Sequence, residues 1–214
     1  MKSTRKIAAV LMAAVLAWAG TACAHAAAKP APKNVYPRME LFAGYSYWSP
    51  HAQVQGYSFA TNSRGMIFSG AYFFNQWAGA QIEGERAQQT NNDGMRAFSV
   101  GPIFRLPGKE LTPFVHALVG TAGVTGPNQP TVGGSTFFYN PEHWGVMLTA
   151  GAGMDYTTPW LHHRLGFRIF QADYQYTHVD FGPKLATQGG RANIAAVRLS
   201  TGITYSFSKF PWRR

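Results

Sequence analysis

Cysteine, acidic residues and long apolar runs are what this chain has least of. Its 214 residues include one cysteine, Cys23, and nine acidic side chains, and charged residues make up 13% of the total. A soluble domain carries about 25% charge. The longest apolar run, Ile7 to Gly20, has 14 residues, short of the roughly 20 a membrane-spanning helix needs. No HExxH-type or cysteine-based spacing offers a zinc site. No segment has a helical period. Together these absences argue against a disulfide framework, a helical membrane anchor, a metal centre and an ordinary water-facing surface. The catalytic, cofactor-binding and metal-binding residue sets are all expected to be empty.

What remains is aromatic and glycine-rich: 14% Phe, Trp and Tyr, with 23 glycines. The first residues read as an export signal. Lys2, Arg5 and Lys6 precede the apolar run, and Ala24-His25-Ala26 supplies a small-x-small cleavage pattern. Cleavage is placed after Ala26, with Ala28 the second site, so Cys23 is removed; the rival reading makes Cys23 a lipidated first residue. The expected organisation is a signal peptide over 1–26, a periplasmic leader over 27–37, a barrel over 38–207 and a short periplasmic tail over 208–214. Removing the signal takes nineteen basic residues to sixteen against nine acidic, a net +7. No nucleic-acid motif accompanies that charge, so nucleic acid is not an expected partner.

The mature chain divides into eight segments of alternating polarity: Arg38–Trp48, Arg64–Phe74, Trp77–Arg86, Arg96–Arg105, Thr112–Val124, Trp144–Tyr156, Arg164–Thr177 and Asn193–Phe207. Most suit tilted membrane strands of about 9–11 residues better than soluble strands of about 5–6. Their connectors alternate long and short, from "SPHAQVQGYSFATNS" and "NQ" through to "HVDFGPKLATQGGRA". Strict alternation is what an even-numbered antiparallel barrel gives when both termini share one end. The fold class is therefore all-β, an eight-stranded antiparallel up-and-down transmembrane barrel, apolar outside and polar inside.

Parity then places particular residues. Leu41, Ala43, Tyr45, Tyr47, Val115 and Leu148 face out. A lumen network is expected from Glu40, Glu83, Arg105, His116, Asp155, Arg168, Asp173 and Arg198. In "FRIFQADYQYT" Arg168 has the opposite parity to Gln171 and Asp173; a one-residue β-bulge near Ile169–Phe170 brings all three inside. Interfacial aromatics are expected at Tyr47, Trp48, Trp144, Tyr174 and Tyr176 toward the long loops. Phe74, Trp77, Tyr156, Trp160, Tyr205 and Phe207 lie toward the short turns. Basic residues gather at the short-turn or terminal end (Lys29, Lys33, Arg38, Arg105, Lys109, Arg164, Lys209, Arg213, Arg214), where they could attract anionic head groups.

Near the end, "RLSTGITYSF" contains Ser200-x-Gly202-x-x-Tyr205-x-Phe207. This spacing resembles the C-terminal signal of bacterial outer-membrane barrels, and the resemblance implies the barrel-assembly machinery as a partner. "ELFAGYSYW", "SVGPIFR", "TPFVHALVG" and "QADYQYT" are similar to stretches of the OmpA-like eight-stranded barrel family, in wording nearest an acidobacterial type of outer-membrane protein. That family implies residence in the bacterial outer membrane among its lipids. It also implies a structural or adhesin-like role through an extracellular ligand at the long loops. The inward charges themselves read as a paired network that plugs the lumen, since unpaired buried charges are costly, in a monomer without cofactor or catalysis. The first alternative is a narrow pore for small solutes or ions. A lipid A-modifying enzyme is the second: "YTHVDFG" offers His178 and Asp180, but no Ser at the spacing a deacylase needs. A lipocalin-like soluble barrel is the rival fold, with Tyr45, Val115 and Leu148 lining its cavity.

Overall fold

A computed structural model describes residues 37–54, 57–59, 61–88, 94–125, 129–130, 136–137, 142–161, 163–182 and 190–207. The expected signal peptide, nearly all of the leader, Cys23 and the tail lie outside them. Every element among the described residues is a strand. Eight close a barrel: β1 (Met39–His51), β4 (Asn62–Phe73), β5 (Ala78–Gln88), β6 (Gly94–Arg105), β7 (Leu111–Val124), β10 (His143–Thr157), β11 (Leu165–Asp180) and β12 (Arg191–Phe207). Two small hairpins stand in the first and third long loops, β2 (Gln53–Val54) with β3 (Tyr57–Ser58) and β8 (Gln129–Pro130) with β9 (Thr136–Phe137). Strands of two residues are too short to show an alternation in the sequence. Every barrel pair is antiparallel between chain neighbours, and β1 meets β12 to complete the ring.

Several strands run further toward the long loops than their apolar alternation does. β1 continues to His51, β11 to Asp180, and β12 begins at Arg191. Backbone pairing needs no apolar side chain, so the ladder persists where the outer face turns polar. Thus Asp180 pairs with Arg191 in register, and their side chains meet at 2.8 Å.

Short turns and loop bases have local causes. At the β4–β5 turn, Asn75 Oδ1 accepts hydrogen bonds from the backbone N–H groups of Trp77 and Ala78 at 2.8 and 2.7 Å, an Asx arrangement that holds the reversal. At the base of the last long loop, Gly182 and Gly190 take φ of 89° and 97°, a region closed to most side chains. The Phe181 N–H then reaches Gly190 O at 2.8 Å.

Closure sets the stagger. Hydrogen-bonded partners lead from Ala43 through Phe68, Gly84, Phe98, Thr121, Val146 and His178 to Asn193. Ala43 itself faces Ile203 on the same strand. The register therefore climbs ten residues in one circuit (203 against 193), which obliges the strands to tilt.

The outer surface is an apolar band. Tyr45 is 52% exposed and Leu148 51%, as are their like along every strand. This excludes the lipocalin-like arrangement, in which those residues would line a cavity. Phe74, Trp77 and Trp160 are exposed at the short-turn end, and Trp144 and Tyr174 toward the loops. Trp48 departs from the expected girdle: it is buried in the lumen. It shares the parity of Glu40, Phe42, Gly44 and Ser46, so period-two geometry carries it inward.

Candidate functional site

The lumen is filled in three tiers. At the loop end, Trp48, Phe59, Met95, Met147, Val179, Phe181 and Ile194 form an apolar cluster under the long loops, with Phe181 against Phe59 and His143. Small residues of the same parity, Ala87, Ala97, Ala122, Ala192 and Ala196, leave room for those larger groups.

The middle tier centres on Arg198, a fully buried guanidinium projecting from β12. Its Nε and Nη2 donate to Asp173 Oδ2 at 2.8 and 2.6 Å, and its Nη1 donates to Glu85 Oε2 at 2.6 Å. Nη2 also lies 2.6 Å from Glu83 Oε1. A planar fork with five N–H donors can answer three carboxylates in this way, and an ammonium cannot. His116 holds the other oxygen of Asp173 through Nε2 at 2.7 Å and meets Gln81 Oε1 through Nδ1 at 3.2 Å. Gln81 and Gln175 donate to Glu83 and Glu85 at 3.1 and 2.9 Å.

The lower tier belongs to Arg168. Its Nε and Nη2 clamp both oxygens of Asp155 at 2.8 and 3.0 Å, and Nη2 also reaches Glu40 at 3.4 Å. Its guanidinium is sandwiched between the rings of Phe42 and Phe114, 4.1 and 4.2 Å from their centroids. Gln171 joins the tiers, accepting from Arg168 Nη1 and donating to Asp173 Oδ2, each at 2.7 Å. Below lies Arg105, 3.5 Å above the Phe73 ring, 3.7 Å from Glu40, and donating to Pro37 O at 2.8 Å. Arg105 is therefore part of the plug and not of the basic rim at this end, where Arg38, Lys109 and Arg164 are exposed.

All eight residues expected in the lumen are thus in one connected cluster. Glu85 and Gln175 were not anticipated, although each continues the inward parity of its strand by two residues. The bulge stands at Ile169–Phe170, as the mixed parity of this strand requires. Register shifts between Arg168 and Gln171, Ile169 and Phe170 both point outward, and Arg168, Gln171 and Asp173 all point in.

Two glycines make the network sterically possible. A Cβ on Gly151 would run into the carboxylate of Asp173, and one on Gly44 would meet the Phe42 ring that carries Arg168. The cluster holds five carboxylates, Glu40, Glu83, Glu85, Asp155 and Asp173, against three guanidiniums and one imidazole.

The candidates for other chemistry are scattered. His178 faces outward and bonds Asn193 Oδ1 at 2.6 Å, while Asp180 is held by Arg191. Among the described residues no group of three or more His, Cys, Asp or Glu is placed to hold a metal ion. His162 lies outside the described residues. Of the terminal motif, Ser200 is buried in the lumen and Gly202 faces Gly44 across the closing seam. Tyr205 and Phe207 pack edge to face at 4.7 Å at the short-turn end.

No family model matches this chain, and no curated protein matches its sequence. Solved structures do. Neisserial surface protein A is similar with a TM-score of 0.52 at 16% identity, over 79% of this chain and 97% of its own. Ail, the attachment invasion locus protein of Yersinia pestis, covers 78% of this chain and 99% of its own at 16% identity and a TM-score of 0.45. The N-terminal β-barrel domain of Pseudomonas aeruginosa OprF covers 79% and 100% at 14% identity and 0.43. The likeness to the neisserial protein is one of fold.

Proposed function

We propose that this chain is an integral protein of the bacterial outer membrane, a non-conducting barrel that holds four long loops at the cell surface for a structural or adhesin-like role. The observation that carries this is the combination of an apolar outer band with a lumen closed twice, by an apolar cluster under the loops and by an ion-paired plug below it. With an apolar exterior and a filled interior, the loops are the large surface left for recognition. A narrow pore requires the Arg198 and Arg168 clusters to open, and each is held by several charge-assisted hydrogen bonds. No cofactor or catalytic set enters this reading.

Delivery follows from the termini. The signal is cut near Ala26, and Ser200, Gly202, Tyr205 and Phe207 serve as the signal read by the barrel-assembly machinery. Membership of the OmpA-like family, and of its acidobacterial type, rests on the wording of the sequence. The barrel works as a monomer among outer-membrane lipids.

Planar-bilayer recording of the refolded mature chain tests the plug. A barrel whose gel migration shifts on heating, and which inserts without conducting, is the expected result. Reproducible openings would replace this reading with the pore.

A further inference from the structure

At the loop end of β10 an exposed indole lies over a position that has no side chain. Trp144 pairs with Gly123 on β7, and Gly123 pairs on its other side with Arg96 on β6. Trp144 and Arg96 are exposed, whereas Gly123, outward by parity, is buried. Its neighbours cover it: a Cβ on Gly123 would run into the Trp144 ring and the carboxylate of Glu142. Glu142 continues the outward parity of β10 and lies 4.0 Å from Arg96. A ring, a carboxylate and a guanidinium therefore meet over one patch of bare backbone.

The surroundings of this indole are polar. Val146 faces Thr121 on one side and His178 on the other, so both are diagonal neighbours of Trp144, about 7–8 Å away between Cβ atoms. Both are exposed, and His178 Nδ1 is bonded to Asn193 Oδ1 at 2.6 Å. Tyr174 has a different setting: its partners are Ala150 and Val197, the apolar company of a lipid-facing aromatic. Trp144 thus stands where the outer surface has turned polar, above the apolar band. The contact between Arg96 and Glu142 is at the limit of an ion pair, and neither group is buried. Both keep hydrogen-bonding capacity for a guest.

We propose that Trp144, Glu142 and Arg96 form a binding site for a neutral hexose residue of a surface glycan, its ring stacked on the indole. This names a ligand class for the surface-interaction role above and rests on that reading. A pyranose has a face of C–H groups and a rim of hydroxyls. The C–H groups are slightly positive and suit the negative face of an indole. The hydroxyls both donate and accept, so Glu142 can accept from them and Arg96 can donate to them. One charge of each sign gives a charged sugar no net advantage. Gly123 is a positioning residue, since only a hydrogen there lets the ring and the carboxylate settle against the sheet.

The test is an array of neutral gluco-, galacto- and manno-configured oligosaccharides beside sialylated and sulfated ones. It is probed with the folded mature chain in an amine-oxide detergent, which brings no sugar of its own. The unaltered chain should bind at least one neutral set. Trp144→Ala should weaken that binding on the order of thirtyfold, the loss expected of an aromatic hot spot. Gly123→Ala adds no contact to the sugar but displaces the ring and the carboxylate, so it should weaken binding while the heat-shifted band persists. Trp160→Leu, at the opposite end of the barrel, should change nothing. If Trp144→Ala does not fold, Glu142→Gln should still lose about tenfold, the worth of a charged hydrogen bond. A chain that shows the heat shift and binds no neutral glycan, or binds undiminished in the folded variants, refutes the sugar site alone. Binding confined to the sialylated or sulfated sets refutes it too. A chain that never gives the heat-shifted form refutes the membrane reading and takes the site with it.

Discussion

Arg198→Ala is the sharpest perturbation the lumen offers. The guanidinium is fully buried and touches Asp173, Glu83 and Glu85, each at 2.6 Å. Truncation removes the cation and leaves three carboxylates on β5 and β11 facing one another, with His116 still answering Asp173. Breaking one buried pair by removing a partner costs about 3–5 kcal/mol. Here one cation serves three anions, so the upper end, about 5 kcal/mol, is expected. The assay is urea unfolding in detergent micelles, followed both by tryptophan fluorescence and by the heat-shifted band. Arg198→Lys should recover only part of the loss, because a point charge cannot fork across Asp173 and Glu85. Combining Arg198→Ala with Glu85→Gln should cost less than the two changes summed, by about 1–3 kcal/mol, because removing Glu85's charge relieves part of the repulsion the first change creates. If Arg198→Ala unfolds within about 0.5 kcal/mol of the parent, the size of a neutral surface change, the ion-paired plug does not hold the barrel together.

Deleting Ile169 removes the extra residue of the bulge and leaves Arg168 two positions before Gln171, so a regular strand keeps both inward; the expected outcome is a chain that still inserts and gives the heat-shifted band, and loss of that band would refute the parity argument. Gly151→Val drives a side chain into the Asp173 carboxylate and should cost about 1–3 kcal/mol in the same unfolding assay. A charge in the apolar band, Leu148→Arg, should cost about 2–4 kcal/mol in lipid vesicles. A loss much below 1 kcal/mol would place Leu148 outside the hydrocarbon.

The architecture was legible in the sequence because lipid imposes a simple rule. Each strand must hide its polar groups on one side, and a strand's side chains alternate with period two. Glu83, His116 and Asp173 could be assigned inward from their own neighbours, one strand at a time. The same rule would have turned Trp48 inward and Glu85 with it, had parity been followed past the apolar residues. Even the bulge showed, since three costly side chains of mixed parity within "FRIFQAD" have few other solutions.

Which of those polar residues meet was decided only by the tertiary structure. Arg168 reaches Glu40 across 128 positions, and Arg198 reaches Glu85 across 113. Such pairs depend on how far the register climbs around the ring, a consequence of closing eight tilted strands together and not of any one strand. The division of labour between Arg198, which faces three carboxylates, and Arg168, which is clasped by Asp155 and two aromatic rings, follows from that stagger. Sequence determined which face of each strand sees lipid, because that is a local property of alternation; closure determined the partners, because stagger belongs to the whole ring.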